Sequence, residues 1–219
     1  MSLALTAGAL AASTAITRAR ALTVANAINL RHSDLSGLTE QPNPLTAQDR
    51  AENARLTKCV GGVPDGEALG IAQSPNFVSS GAASSTISSE VEIVPTPKLA
   101  AKDLASISGP RGIPCLESEL ASSLRVQAPK DEHLTVHGAT LPSPVSGSDG
   151  AFSIRITIVV RVTKGTTVVS EPIYADEIGF IYGQAEVSLS DVDILGKPSA
   201  TLERRLAALL LTRTRAAVG

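Results

Sequence analysis

The chain has 219 residues, of which 43% are hydrophobic and 2% aromatic, and its formal net charge at pH 7 is −2. A domain of this length buries about 70% of the surface of its unfolded chain, so it can hold a core, which must be aliphatic because Trp is absent. The scarcity of aromatic side chains and of dense basic segments excludes a typical nucleic-acid-binding protein, which needs stacking platforms and a basic surface.

Residues 1–16 are predicted to be a signal-peptide-like or disordered segment, followed by a single domain over 17–219. An apolar run from Leu3 ends in small residues before Ser13, as in the core and cleavage region of a signal peptide. The run is too short to cross a bilayer, so no transmembrane span is predicted. No basic residue precedes it, so a misassigned start or a frayed apolar end is the alternative. Ser13 stands where a lipoprotein would carry its lipid-bearing Cys, so a lipid anchor is not predicted.

The chain has two cysteines, Cys59 and Cys115. In an exported protein such a pair most simply forms a disulfide, here closing a loop of about 57 residues and stabilising the fold by a few kcal/mol. Two buried free thiols are the alternative. A third interpretation makes Cys115 a reactive thiol, because it follows Pro114 at a predicted helix start, where the helix dipole lowers a thiol pKa.

The first half of the chain predicts four helices and one strand. Apolar residues at helical spacing predict a helix over 17–30, and Thr46 with Asp49 forms a capping box for a second helix that stops at Gly61-Gly62. Alternation over 87–94 predicts a strand. Thr96-Pro97 then begins a helix that Gly109-Pro110 ends, and another helix follows over 114–125.

Residues 61–86 are predicted to be a long surface loop, because they are rich in Gly, Pro, Ser and Asn. Phe77 is its one large apolar side chain. The loop is expected either to lie on the surface, tied down by the disulfide, or to act as a mobile binding loop.

The second half predicts an antiparallel meander. Alternation with period two is clearest over 152–162, and the predicted strands are 133–141, 151–163, 166–182 and 184–194, with Lys164-Gly165 as a hairpin turn. A final helix after Lys197-Pro198-Ser199 carries leucines on one side. It is expected to dock on the sheet, and peripheral membrane association of its apolar face is the alternative. The predicted fold is α+β, with an antiparallel sheet of about five strands flanked by helices.

Five segments of the chain resemble a family of actinobacterial envelope proteins with a PsbP-like fold, the group that includes the LpqN-type lipoproteins. They are residues 25–35 (ANAINLRHSDL), 58–62 (KCVGG), 73–77 (QSPNF), 115–116 (CL) and 179–183 (GFIYG). The resemblance covers roughly residues 25–215. It implies a secreted or lipid-anchored binding domain with an antiparallel sheet flanked by helices, and it supplies no catalytic residue.

No catalytic, metal or cofactor site is predicted. The chain has no Gly-x-Ser-x-Gly elbow, phosphate-binding loop, His-Glu-x-x-His or Cys-x-x-Cys motif. His133 and His137 share a strand face but lie about 13 Å apart, too far to bind one metal ion. Four acidic residues near the predicted strand ends could form a calcium site or an acid/base pair, and a solvated strand end is the simpler interpretation. They are Asp176, Glu177, Asp191 and Asp193.

The predicted binding surface consists of Arg155, Thr157 and Arg161 on the polar face of the longest strand, together with Phe77 of the loop. If this face is open, it could recognise an anionic partner. If a helix covers it, its arginines need acidic partners, for which Glu186, Asp191 and Glu90 are the candidates.

We therefore expect a secreted or cell-envelope binding domain that is not an enzyme, with an unknown envelope protein or an apolar small molecule as its partner. One alternative is a hydrolase whose carboxylates or histidines converge in one cleft. Another is an accessory subunit of an envelope complex, which would expose an apolar patch of several hundred Å².

Overall fold

The computed structural model describes residues 15–81, 84–127, 129, 132–164 and 167–219. Of the predicted N-terminal segment, residues 1–14 lie outside the described part of the chain. Ile16 already belongs to the domain, because its side chain is buried and its N–H donates a hydrogen bond to Gln184 Oε1 at 2.8 Å. None of the helices in the described part of the chain has the length and apolar character that a membrane span requires.

The domain is α+β, as the sequence predicts, and its described residues form five helices and eight strands. The helices are α1 (Arg18–Ile28), α2 (Ala47–Val60), α3 (Pro97–Ile107), α4 (Gly112–Gln127) and α5 (Ala200–Val218). The strands are β1 (Thr39–Gln41), β2 (Gly70–Gln73), β3 (Asn76–Val78), β4 (Ser85–Ile93), β5 (Glu132–Thr140), β6 (Gly150–Lys164), β7 (Thr167–Tyr182) and β8 (Ala185–Ile194).

The strands make one antiparallel sheet in the order β1-β3-β4-β8-β7-β6-β5, and β2 also pairs with β4. The predicted count of about five strands is wrong, because the sheet has eight. The three additional strands have three or four residues each, too few to show a period of two in the sequence. They are stabilised by hydrogen bonds to partners distant in the chain.

The prediction of a surface loop over 61–86 is also wrong. β2 and β3 lie in this segment, and they pair with β4 one after the other along the same edge. Ala72 of β2 lies opposite Val91, and Phe77 of β3 lies opposite Ile87. Between them, the backbone N–H of Ser74 donates to the carbonyl of Ser89, and the Ser74 hydroxyl accepts from the N–H of Ser89, both at 2.8 Å. The Ser74 hydroxyl thus continues the pairing with β4 between the end of β2 and the start of β3.

One face of the sheet is covered by α1 and α5, and the main core lies there. Fully buried side chains of both helices, among them Ile28, Leu206 and Leu210, pack on Phe77, Phe180 and the aliphatic residues of β4 and β8. The docked position predicted for the final helix is confirmed. Its leucine face lies in the core, so that face is not free to lie on a membrane.

The opposite face is covered by α2, α3 and α4 and is packed less densely. The disulfide between Cys59 and Cys115 joins α2 to α4, and Arg55 Nε donates to Glu119 Oε2 across the same pair of helices at 2.8 Å. The capping box of Thr46 and Asp49 is present, and Gly61 ends α2 with a φ of 80°. None of the residues of α2 is buried, and the helix packs on α4 rather than on the sheet.

Candidate functional site: a cleft between the sheet and the helices

A cleft of about 450 Å³ lies between the sheet and the layer formed by α2, α3 and α4. It exists because α2 is attached to α4 by the disulfide and does not rest on the strands. Its volume falls in the range of pockets that bind small molecules, about 300–1,000 Å³.

Most of the cleft wall is apolar. The helices contribute Leu56, Val60, Leu104, Ile107, Leu116 and Leu120, and the sheet contributes Phe152, Ile156 and Ile181. Phe152 lies across Gly179 of the neighbouring strand, where a Cβ atom would come within 2.1 Å of the ring. The missing side chain at Gly179 therefore lets the phenyl ring lie flat on the sheet beneath the helices.

The cleft also carries carboxyl groups on both of its walls. Glu90, Glu92, Glu177 and Glu186 project from the sheet, Asp65 from the segment that follows α2, Asp103 from α3, and Glu52 and Glu119 from α2 and α4. Glu92 and Glu186 are direct cross-strand neighbours on β4 and β8. Like charges in such positions destabilise a sheet, so two acids side by side here call for a physical reason.

Burial in the cleft changes the protonation of these acids. It is the main cause that raises the pKa of Glu92 and of Glu177 to about 8 and the pKa of Glu186 to about 9. Neighbouring acids add to the effect, with Asp65 acting on Glu92 and Asp103 acting on Glu186. Glu92, Glu177 and Glu186 are therefore largely protonated at neutral pH, and they gain negative charge when a cation approaches.

Two buried oxygens near the cleft have no hydrogen-bond partner within the described residues. One is Glu186 Oε1, on the cleft wall, and the other is Gln73 Oε1, whose amide nitrogen donates to Glu90 Oε2 at 2.6 Å. An unsatisfied buried acceptor costs free energy, so each of these atoms favours an incoming donor.

A second, polar recess of about 300 Å³ adjoins the cleft and shares Asn53, Glu90 and Ser188 with it. Its other walls carry Asn43, Asp49, Gln73 and three serines, so it offers mainly hydrogen-bonding groups. The two spaces together give one apolar compartment with a polar extension beneath the start of α2.

The predicted binding surface does not exist as one surface. Phe77 is fully buried in the core against β4, and Arg155 lies on the sheet face that α5 covers. Thr157 is half-buried and Arg161 is exposed near the far end of β6. Arg155 is paired with Asp176, to which its Nε donates at 2.6 Å and its Nη2 at a shorter distance. The predicted partners Glu186, Asp191 and Glu90 are thus replaced by the residue directly opposite on β7.

The acids predicted near the strand ends divide between the two faces of the sheet. Asp176 and Asp191 are cross-strand partners beneath α5, where Glu203 joins them, whereas Glu177 projects into the cleft. Asp176, Asp191 and Glu203 are 1%, 3% and 6% exposed, so a substrate cannot reach them in this conformation.

Neither a metal site nor an apolar docking patch emerges from the remaining candidates. His133 and His137 are exposed on β5, and within the described ranges no three His, Cys, Asp or Glu side chains are placed to hold a metal ion. The exposed large hydrophobic residues in those ranges are Leu22, Val126, Val169 and Leu195, which lie on four different segments.

Of the acids that line the cleft, sequence reasoning assigned only Glu177 to a possible site, and it named Glu90 and Glu186 only as partners for arginines. Glu90 and Glu92 alternate with Val91 and Ile93, and this pattern is typical of a strand with one solvent-exposed face. In the structure β4 is an inner strand of the sheet, and helices cover both faces of that sheet. Such a strand is covered on both faces, so its acids must face a cavity or a partner.

Comparison with known proteins gives a weak structural similarity and no match in sequence. No protein-family model matches the chain, and no curated protein matches it in sequence. Among solved structures, the chain is similar to the crystal structure of the extracellular domain of PknH from Mycobacterium tuberculosis, with 11% sequence identity and a TM-score of 0.45 over 94% of this chain and 100% of that one. A TM-score below 0.5 carries no functional argument, and the resemblance to the LpqN-type proteins stays a prediction.

Proposed function

We propose that this protein is an exported, non-enzymatic binding domain that holds a small molecule with an apolar body in the cleft between its sheet and α2–α4. The observation that carries the proposal is a 450 Å³ cleft with apolar residues on both walls, under a helix that contacts the sheet little. A domain that only needed a core would bring α2 down onto Phe152 and Ile156, because burying apolar surface stabilises the fold.

The disulfide supports both parts of this proposal. It joins α2 to α4 and so helps to keep the roof of the cleft in place without contact with the sheet. Disulfides persist in oxidising compartments, which agrees with a secreted or cell-envelope location.

The test uses N-phenyl-1-naphthylamine, an apolar probe whose fluorescence increases when it leaves water. We expect saturable binding by the wild-type chain. Leu56→Trp fills the cleft from α2 and should abolish most of this signal, whereas Leu22→Trp, on the exposed side of α1, should preserve it.

Circular dichroism and thermal unfolding of both variants verify that they are folded. The proposal is overturned if the wild-type chain shows no saturable signal, or if the two folded variants lose it equally.

A further inference from the structure

We infer that the ligand of this cleft is a cationic amphiphile, in which one or more protonated amines are attached to an apolar body. The inference rests on the proposed binding function and names the chemical class of the ligand. Its starting point is the combination of an apolar wall with acids on both sides of the cleft and no basic residue among the lining residues.

Among the described residues, only one acid of the cleft is paired with a cation of the protein. It is Glu119, whose Oε2 accepts a hydrogen bond from Arg55 Nε at 2.8 Å. The acids on the sheet wall have no such ion pair in the described part of the chain. Glu90 receives only a neutral amide hydrogen bond from Gln73. Negative charge in the cleft therefore has to be balanced by bound protons or by a cation from outside.

Glu186 shows where a cation would be held. Its Oε1 is buried and has no hydrogen-bond partner among the described residues, while the carboxyl group as a whole is hydrogen-bonded to Asp103 of α3. Its strand neighbour Glu92 is also a cleft acid. Asp103 is itself fixed, since its Oδ1 accepts a hydrogen bond from the backbone N–H of Val63 at 2.6 Å. An ammonium group donates three hydrogen bonds and can satisfy several such acceptors at once.

An organic cation fits the cleft better than a metal ion does. The described acids do not converge on one point with the spacing that a metal ion requires. They are distributed along a cavity whose remaining wall consists of leucine, isoleucine and phenylalanine side chains. An amine next to Glu186 would place its apolar body against Leu104 and Phe152, so both parts of the ligand find a matching surface.

Ionisation of the acids couples ligand binding to proton release. A cation near Glu186 favours its carboxylate form and lowers its pKa from about 9, and it acts in the same direction on Glu92. The other charged groups around them are Asp65, Asp103 and Glu90, all of them acidic. Binding of an amine at pH 7.5 should therefore release protons, which binding of an uncharged ligand should not do.

The experiment compares dodecylamine, dodecanol and dodecanoate below their aggregation concentrations by isothermal titration calorimetry and native mass spectrometry. We expect dodecylammonium to bind at least about tenfold more tightly than dodecanol, which corresponds to one charge-assisted hydrogen bond, and dodecanoate to bind most weakly. Calorimetry in two buffers with different ionisation enthalpies measures the proton release.

Glu186→Gln should remove most of the preference for the amine and reduce the proton release, while dodecanol binding is retained. Glu171→Gln, at an exposed position of β7, is the matched control and should change neither quantity. The inference is overturned if dodecanol or dodecanoate binds the wild-type chain as tightly as the amine, or if Glu186→Gln keeps the preference. Failure of all three compounds to bind would instead overturn the proposed function.

Discussion

At the scale of single residues, the register between β6 and β7 determines which acid pairs with Arg155. With Lys164-Gly165 as the hairpin turn, Arg155 would lie opposite Tyr174. In the structure β6 extends through Lys164, which pairs with Thr167, and this shift of two residues brings Asp176 opposite Arg155. The need for an acidic partner could be predicted from the sequence, but the identity of that partner depends on the turn.

Replacing Arg155 should therefore be costly. The Asp176 side chain is fully buried, so Arg155→Met leaves a buried carboxylate without its cation and should lower the free energy of unfolding by about 3 kcal/mol. Arg161→Met, on the same strand and the same sheet face but exposed, should cost less than about 0.5 kcal/mol. Urea denaturation followed by circular dichroism measures both values. Equal losses for the two variants would contradict the role assigned to this ion pair.

At the scale of elements, long periodic segments could be predicted and short or non-local ones could not. The five helices and the strands β4 to β8 follow from apolar spacing and from capping residues such as Thr46 and Ser199. β1, β2 and β3 are too short for a pattern, and their stability comes from pairing with distant residues. Phe77 was assigned to a surface loop for this reason, although it is one of the most deeply buried side chains.

The position of α2 above the cleft is expected to depend on the disulfide between Cys59 and Cys115. α2 contacts the rest of the described chain mainly through α4, so the double variant Cys59→Ser/Cys115→Ser should free it from its position above the sheet. We expect the free energy of unfolding to fall by about 2–4 kcal/mol, because the unfolded chain regains the conformational entropy that the cross-link removes. We also expect faster hydrogen exchange in Ala47–Val60 than in α5, and weaker binding of N-phenyl-1-naphthylamine.

Arg55→Ala provides the comparison for that experiment, because it removes only the half-exposed ion pair between the same two helices. It should cost at most about 1 kcal/mol and leave exchange in α2 nearly unchanged. If exchange in α2 is equally slow with and without the disulfide, other contacts position this helix.

At the scale of the whole molecule, acids are buried on both sides of the sheet. Glu92, Glu177 and Glu186 line the cleft, and Asp191 and Glu203 lie beneath α5. The sequence shows a near-neutral chain and gives no indication of this arrangement, because it depends on which strands become central and which helices cover them. The fold class could therefore be predicted from local patterns, whereas the candidate site could not.

These buried acids should make the protein more stable in mildly acidic than in alkaline solution. Burial raises the pKa of Asp191 to about 7 and those of Glu92, Glu177 and Glu186 to about 8, 8 and 9, against ordinary values near 4. At a pH between the ordinary pKa and the raised pKa of such a group, the folded state binds more protons than the unfolded state. The free energy of unfolding therefore falls as the pH rises through this interval. This contribution is complete below about pH 4 and is lost progressively up to about pH 9.

Two groups of charges act on this pH dependence in different ways. Beneath α5, Asp191 and Glu203 lie near Asp176 and its partner Arg155, and burial together with the hydrogen bond to Asp176 raises the pKa of Glu203 to about 8. Where α5 contacts the segment after α1, hydrogen bonds from Arg213 and Arg31 lower the pKa of Asp34 despite its burial, and stability from that group is lost in acid. Because the two effects have opposite signs, we expect the maximum of stability in mildly acidic solution.

Urea denaturation at pH 5 and pH 8.5 measures the difference, and Glu186→Gln tests its origin. Glutamine cannot ionise, so this variant should lose less stability than the wild-type chain between the two pH values, while Glu171→Gln, in an exposed position, should follow the wild type. A cationic ligand should reverse part of the trend, because it binds the ionised form that alkaline solution favours. A wild-type chain that is equally stable at both pH values would show that the cleft acids are well hydrated and have ordinary pKa values. The electrostatic argument for a cationic ligand would then fail.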